Sequence, residues 1–362
     1  MRILAVLPFA ADEVDPDAND LARWLAKDAA GALDIPGVVE PRLVVDVVEI
    51  SAPALGEAAA QLGAEFALGA TLRLADGQLE LAATLVDASG VARGEWSESL
   101  SLGAATRIGR MLARAVLLAL GEDASAPPEN VEVEAGGEAV LRLCRAARRI
   151  DEGQLDEGVD ELLRLCEDAP ALEAARRTLL ETSRAELGGD RMPAFFSALE
   201  RFVEARPDDA EALLLLGDFR SAHLDEPGAR ELYLAARECA EDPSLSAQAC
   251  GRLGSLAEAA GRIDEAILHL RAAVKMHDDA VLYARLASLL LGKDPAEGLN
   301  MLTRATVLAP DDPALHLTLA RAIRVHGGDP ARGLAAAVRA AQLCPDQSDL
   351  AEEIRSELEQ LL

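Results

Sequence analysis

Aromatic residues are scarce in this chain of 362 residues, at 3% of the total. A core of Leu, Ala and Val is expected instead, and these residues make up much of a chain that is 50% hydrophobic. No dense basic run exists; Arg145, Arg148 and Arg149 come nearest to one, against a formal net charge of -28. Phosphate binding needs Lys and Arg to release counterions, so nucleic acid and anionic membrane surfaces are excluded as partners. The five cysteines, Cys144, Cys166, Cys239, Cys250 and Cys344, form no CxxC pair, which argues against a disulfide framework or a zinc site and for a reducing compartment. No apolar stretch reaches the length that spans a bilayer, so no membrane insertion is expected. The cytoplasm is the expected location.

Catalytic signatures are also missing. No GxxxxGK[ST] loop is present, and Pro8-Phe9-Ala10-Ala11 stands where a GxGxxG would follow the first strand. Neither HExxH nor GxSxG occurs. The five histidines, His223, His269, His277, His316 and His326, make no metal pattern and read as surface or helix-end residues. No enzyme, cofactor or metal is expected. The acidic surface would steer a basic protein or peptide towards it, and it also serves solubility.

What is present divides at about residue 120. Arg2–Phe9 reads as a buried strand rather than a signal peptide, because its apolar run is short and contains Pro8. A helix follows from the Asp17–Asp20 cap chemistry to about Gly31, with Leu21, Trp24, Leu25 and Ala29 at helical spacing. Ile35-Pro36-Gly37 is a turn, and residues 43–49 are strand-like by β-branched content. Ala52–Leu62 is a short helix ending at Gly63. A three-strand meander then runs over 66–75, 79–87 and 91–98, with Asp76-Gly77 as a hairpin signal and Ala88-Ser89-Gly90 as the second turn. A helix over 104–120 closes a βαβαβββα domain in which Trp24 and Trp96 are core. Residues 121–137, rich in Pro, Gly and acid, read as a linker.

From 138 onward the pattern is paired amphipathic helices with a period of about 34 residues. The clearest unit, Ser246–Asp278, has Leu253-Gly254 in its first helix, Gly261 at the turn, and Ala266, Leu270 and Ala273 in its second. Leu216-Gly217, Ala229, Tyr233 and Ala236 precede it. Leu286-Ala287, Gly298, Leu302 and Ala305 follow, and then Leu319-Ala320, Gly333, Ala337 and Ala340. Small residues stand where two helices approach and large ones where the groove between them needs filling; neither helix buries its apolar face alone, but stacked pairs do. Pro170, Pro207, Pro243, Pro310 and Pro345 punctuate the turns between units. About six units fill 138–345, and 346–362 reads as a capping helix.

These residues resemble the tetratricopeptide repeat (TPR) family, most closely over 210–345; the family's usual first-helix aromatic is mostly absent, with Tyr283 the nearest match. The expected fold class is α+β multidomain, a small mixed α/β domain followed by an all-α TPR-type solenoid. The first 120 residues resemble the TolB-like α/β domain found at the start of many bacterial TPR proteins. The resemblance runs through Ile3–Phe9, Ile35–Val38, Leu62–Gly69 and Leu79–Gly90, with Trp96 beyond. It implies a non-catalytic domain, and the segment after Phe9 lacks the family's Asn-rich turn.

The TPR resemblance implies a concave groove lined by each repeat's first helix, near its second, fifth, ninth and twelfth residues. Here these are Glu211, Leu214, Asp218 and Ser221, then Gln248, Ser255 and Glu258, then Val281, Ala284, Ser288 and Leu291, then Leu317, Arg321 and Arg324. Chaperone-tail carboxylate clamps need Lys and Asn at such positions, which this chain does not offer. The groove reads as acidic, then apolar, then basic, and suits a bipolar ligand or a helix with basic and apolar faces. The leading expectation is a scaffold that binds a protein or peptide in this groove, with the α/β domain as a second docking surface. The alternative is a regulatory module that senses a small ligand through the α/β domain.

Overall fold

Arg2–Val6 forms β1, an interior strand of the sheet, and its Leu4, Ala5 and Val6 are buried. The computed structural model of the protein describes residues 2–11, 15–34, 39–43, 51–75, 78–121 and 136–344, with 352, 353, 356, 357 and 360. The Ile35-Pro36-Gly37 turn, strand residues 44–49, the Asp76-Gly77 turn, Pro345 and most of the expected linker and capping helix lie outside these residues. The described chain divides into two compact units, Met1–Glu186 with Arg191–Ala198, and Leu187–Asp190 with Leu199–Leu362.

In the first unit, α1 spans Pro16–Leu33, β2 Val39–Leu43, α2 Ala52–Gln61, β3 Phe66–Ala75, β4 Gln78–Asp87 and β5 Ala92–Ser101. A 3-10 turn over Leu102–Arg107 leads into α3, Ile108–Ala119. The strand order is β2-β1-β3-β4-β5, with β1 parallel to both neighbours and the β3–β5 meander antiparallel. Several boundaries differ from expectation: β1 ends at Val6 rather than Phe9, β5 runs to Ser101 rather than to 98, and the helix expected from 104 is α-helical only from Ile108. The cap of α1 is Asp15, which accepts from the Asp17 and Ala18 N–H groups at 3.0 and 3.4 Å, with Pro16 at the first helical position. The second strand pairs residues 39–43 with β1 and takes in Pro41, which an edge strand tolerates because one side of its ladder is unpaired.

Leu55, Ala58 and Ala59 of α2 pack on Ala5, Leu7, Ala67 and Val86. A Cβ on Gly56 would stand 2.6 Å from the Gly90 backbone, so only glycine lets α2 approach this turn. The turn is tied by Asp87, whose carboxylate accepts from Ser89 N–H, Ser89 Oγ, Val91 N–H and Arg93. These donors, the Ser89 hydroxyl foremost, hold the Asp87 carboxyl well below the usual range. Trp24 is buried, while Trp96 is half-buried on the edge strand.

Helices α4 (Gly137–Asp151), α5 (Leu155–Asp168) and α6 (Glu173–Ala185) belong to the same unit as the sheet. Their arginines meet acids of α1: Arg145 makes a two-point contact with Asp17 at 2.9 and 2.7 Å, Arg148 meets Asp20 at 2.9 Å, and Arg177 meets Asp28 at 2.6 Å. Two of the three arginines of the basic run noted in the sequence, Arg145 and Arg148, are thus taken up by α1. Bidentate charge-assisted contacts of this kind are the strong members of their class.

The division between units falls within α7, Met192–Ala205. The second unit then holds four hairpins: α8 (Ala210–Ala222) with α9 (Glu226–Cys239), α10 (Pro243–Ala259) with α11 (Ile263–Met276), α12 (Ala280–Leu291) with α13 (Pro295–Leu308), and α14 (Pro313–His326) with α15 (Pro330–Leu343). Ala236, Ala273, Ala305 and Ala340 recur fully buried, one per hairpin, as do Tyr233, Leu270, Leu302 and Ala337. Burying one large apolar side chain stabilises by about 1.5–3 kcal/mol, so the repeated set is the main cohesive force of the stack. The protein is α+β and multidomain, with a small mixed sheet and a TPR-type helical solenoid.

Candidate partner-binding groove

Each hairpin begins with a first helix set by local chemistry. Every helix from α8 to α15 except α11 carries a capping aspartate: Asp209, Asp225, Asp242, Asp279, Asp294, Asp312 and Asp329. Each accepts a backbone N–H of the first turn, and proline stands at the first or second helical position of α9, α10, α13, α14 and α15. Part of the acidity that reads as a lure for basic partners is therefore structural. The Asp-Pro dipeptides before α10, α13, α14 and α15 are the sequence signal for it.

The first helices lie side by side, α8 against α10 and α12 against α14. The expected groove residues fall on them in three classes. Leu214 and Leu317 are core rather than lining, at 3% and 2% exposure, because the fifth position of α8 and α14 faces the hairpin interior. Gln248 and Ser288 are exposed, Val281 is 65% exposed, and Glu211, Ser255 and Ala284 are half-buried. Ser255 and Ser288 donate their hydroxyls back to the Gly251 and Arg285 carbonyls at 3.0 and 2.8 Å.

The third class is charged and already paired. Asp218 accepts from Arg252 at 2.7 and 2.9 Å and from the Tyr233 hydroxyl at 2.7 Å. Burial and the Asp218 carboxylate push the Tyr233 phenol far above its ordinary value, so it remains a donor. Glu258 meets Arg285 at 3.2 Å. Arg321 meets Glu353 at 3.1 Å, and Arg324 grips Glu357 at 2.6 and 3.1 Å. On the second helices, Glu226–Arg262, Arg230–Glu265 and Arg271–Glu297 pair in the same way. These contacts join one hairpin to the next. Sequence reading located the charged positions but not their partners, Arg252 and Arg285, each of which stands on the first helix of the following hairpin.

The face offers an uncharged strip of Gln248, Ser255, Val281, Ala284 and Ser288 between paired charges. Among the described residues no cluster of His, Cys, Asp and Glu is arranged to hold a metal ion, and no helix is long and apolar enough to cross a membrane.

No protein-family model matches the chain, and no curated protein matches it. Solved structures do. The chain is similar to TTC0263, a thermophilic TPR protein of Thermus thermophilus, at 18% identity over 52% of this chain and 100% of that one, with a TM-score of 0.38. It is similar to PilF of Pseudomonas aeruginosa at 14% identity over 60% and 97%, with a TM-score of 0.45. YrrB, a TPR protein with an unusual peptide-binding site, matches at 14% identity over 58% and 97%, with a TM-score of 0.36. Likeness at this level says nothing of partner or activity.

Proposed function

We propose that the chain is a non-enzymatic scaffold that holds a segment of a protein partner along the first helices α8, α10, α12 and α14. The observation that carries this reading is the division of labour on that face. Its charges are spent on joining hairpins, while Gln248, Val281 and Ser288 stay exposed between them. An extended segment would lie across this strip, with apolar contacts to Val281 and amide or hydroxyl hydrogen bonds to Gln248 and Ser288. A basic stretch of the partner would meet the acidic α8 end.

The TolB-like domain is a second docking surface in this proposal. Beyond α2 its sheet presents an exposed polar face in register, Thr71 beside Ala82 and Ser97, and Arg73 beside Glu80 and Ser99. The proposed domain bounds remain 1–120 and 138–345, with about six helix pairs, and the proposed location is the cytoplasm.

Photo-crosslinking from single positions tests the groove. A benzophenone side chain at Ser288 is expected to capture a discrete partner from host lysate, and the same group at Leu268, exposed on α11, is expected not to. Equal capture from both positions, or capture only from Ser97 on the sheet, would move the function away from the groove.

A further inference from the structure

β5 is the outermost strand of its sheet, with β4 on one side and no strand on the other among the described residues. The register shifts between Leu85 and Val86, so the extra residue is Arg93 and residues 94–101 run regularly against β4. In an antiparallel pair every second residue turns its N–H and C=O away from its neighbour. The outer edge of 94–101 thus presents a row of such groups with no strand to meet them.

Register also fixes what flanks that edge. Trp96, Glu98 and Leu100 stand opposite Ala83, Leu81 and Leu79, which are buried, and they share that face of the sheet. Trp96 and Leu100 are half-buried there, and Glu98 is exposed. The indole lies back over Gly94, where a Cβ would come within 2.5 Å of the ring. The buried face of the sheet ends at β5 in two half-open apolar side chains with a carboxylate between them. Glu95 is on the opposite face, beside Ser97, and is also exposed.

Arg93, the one base of the strand, is taken by Asp87 at 2.6 Å. Glu95 and Glu98 make no ion pair among the described residues, unlike the carboxylates Asp218 and Glu258 of the first helices. A second copy would bring its own Glu95 and Glu98 to this edge, and a charge on the inner side of an edge strand repels such pairing. A strand with cations at the matching places meets both carboxylates, and its apolar residues extend the face that Trp96 and Leu100 leave open.

We propose that the outer edge of β5 takes up an extended basic segment of a partner protein as an added strand. Apolar residues of the segment stand beside Trp96 and Leu100, a Lys or Arg between them meets Glu98, and a second cation meets Glu95. Backbone hydrogen bonds supply affinity in such an arrangement, and alternate side chains supply specificity. The inference names the partner of the second docking surface and rests on that reading. Capture of a protein by a benzophenone at Ser97, without binding of the probe described next, would leave that surface standing and remove this assignment.

A fluorescein-labelled peptide of sequence TVTKTVKT is titrated by anisotropy against the full chain. Paired antiparallel to β5, its valines meet Leu100 and Trp96 and its lysines meet Glu98 and Glu95. It is expected to bind, and more weakly as salt rises. Glu98→Lys is expected to weaken binding about fivefold, since like charges directly opposite one another on a sheet repel. A peptide with the facing lysine changed to glutamate is expected to regain that loss on the variant. N-methylation of every second peptide amide is expected to abolish binding in one phase and to leave it unchanged in the other, because only one set of amides faces β5. No binding to the full chain, equal binding to Glu98→Lys, or equal tolerance of both methylation phases would each overturn the proposal. Displacement of the probe by self-association as the chain is concentrated would overturn it too, and would assign the edge to a second copy. If Glu98→Lys does not match the wild type in circular dichroism, Glu98→Gln serves, with about a twofold loss expected and no loss overturning the proposal.

Discussion

Tyr233 donates its hydroxyl to Asp218 at 2.7 Å, and the same carboxylate is gripped by Arg252 of the next hairpin. One acid therefore ties the two helices of its own hairpin and joins that hairpin to its neighbour. Asp218→Ala leaves a largely buried phenol and a guanidinium without their acceptor and is expected to cost about 2 kcal/mol in urea unfolding. Tyr233→Phe removes one hydrogen bond and is expected to cost about 1 kcal/mol. In a double-mutant cycle the two changes should sum to more than the double variant loses, because they share a partner.

Gly217 admits the Tyr233 ring, which a Cβ at that position would strike. Gly217→Ala is expected to destabilise by about 1–3 kcal/mol through overpacking. Tyr233→Leu in the same chain should recover part of that loss, since at the equivalent place a Cβ on Gly254 would stand 3.0 Å from Leu270, farther than a Cβ on Gly217 would stand from the Tyr233 ring. Thermal unfolding of the three variants checks this.

Leu224 stands at φ 61°, the left-handed region, with 91% of its surface exposed. The same turn in the next hairpin uses Gly261 at φ 72°, and the two share their backbone hydrogen bonds, Asp225 N–H to Arg220 O and Arg262 N–H to Ala257 O. Leu224→Gly relieves side-chain strain and loses no packing, and it is expected to stabilise by about 1 kcal/mol. A lower urea midpoint for the variant would contradict this account.

Acid is expected to loosen the solenoid. Asp225, held by the Gly228 N–H and Arg220, Glu265, held by Arg230 and Arg262, and Asp278, held by Tyr283 and Arg304, all have carboxyl pKa values below the ordinary range. A lowered folded-state pKa means that the stabilisation is complete above the ordinary carboxylate value of about 4 and is lost as pH falls through the folded value. Urea midpoints should hold from pH 7 to pH 5 and fall below pH 4. Glu265→Gln should flatten that acid limb by removing one of the contributing groups.

Arg145 and Arg148 fasten α4 to α1 through Asp17 and Asp20. A fragment of residues 2–198 is expected to unfold as one cooperative unit, and a fragment of 2–121 is expected to lose several degrees in Tm. Arg145→Glu with Arg148→Glu should lower the Tm of the longer fragment towards that of 2–121, while 199–362, which lacks both positions, gives the reference transition of the second unit. Calorimetry of the three pieces decides it.

Much of the repeat was legible because its rules are local. Gly217 and Gly254, and the alanines at 236, 273, 305 and 340, recur at intervals of 32 to 37 residues since two helices of a hairpin touch at the same depth in every unit. The strands at 66–75 and 78–87 were legible by alternation and by their flanking turns. The start of α1 was missed by two residues because Asp15-Pro16 competed with several other acids for the role of cap. At the groove, Gln248 and Ser288 fall on the exposed face as helical phase requires. Leu214 and Leu317 occupy equally apolar positions that periodicity alone cannot assign to lining or to core.

The helix pairs, the sheet at the front of the chain and the absence of the common catalytic loops follow from residue order alone, because each depends on residues within a few turns of one another. The destination of the charges is a property of the folded chain. Asp218 meets Arg252, Asp17 meets Arg145 and Glu357 meets Arg324 across 34, 128 and 33 residues. Pairing over such distances depends on how helices are stacked and phased, and a list of acids and bases does not contain that.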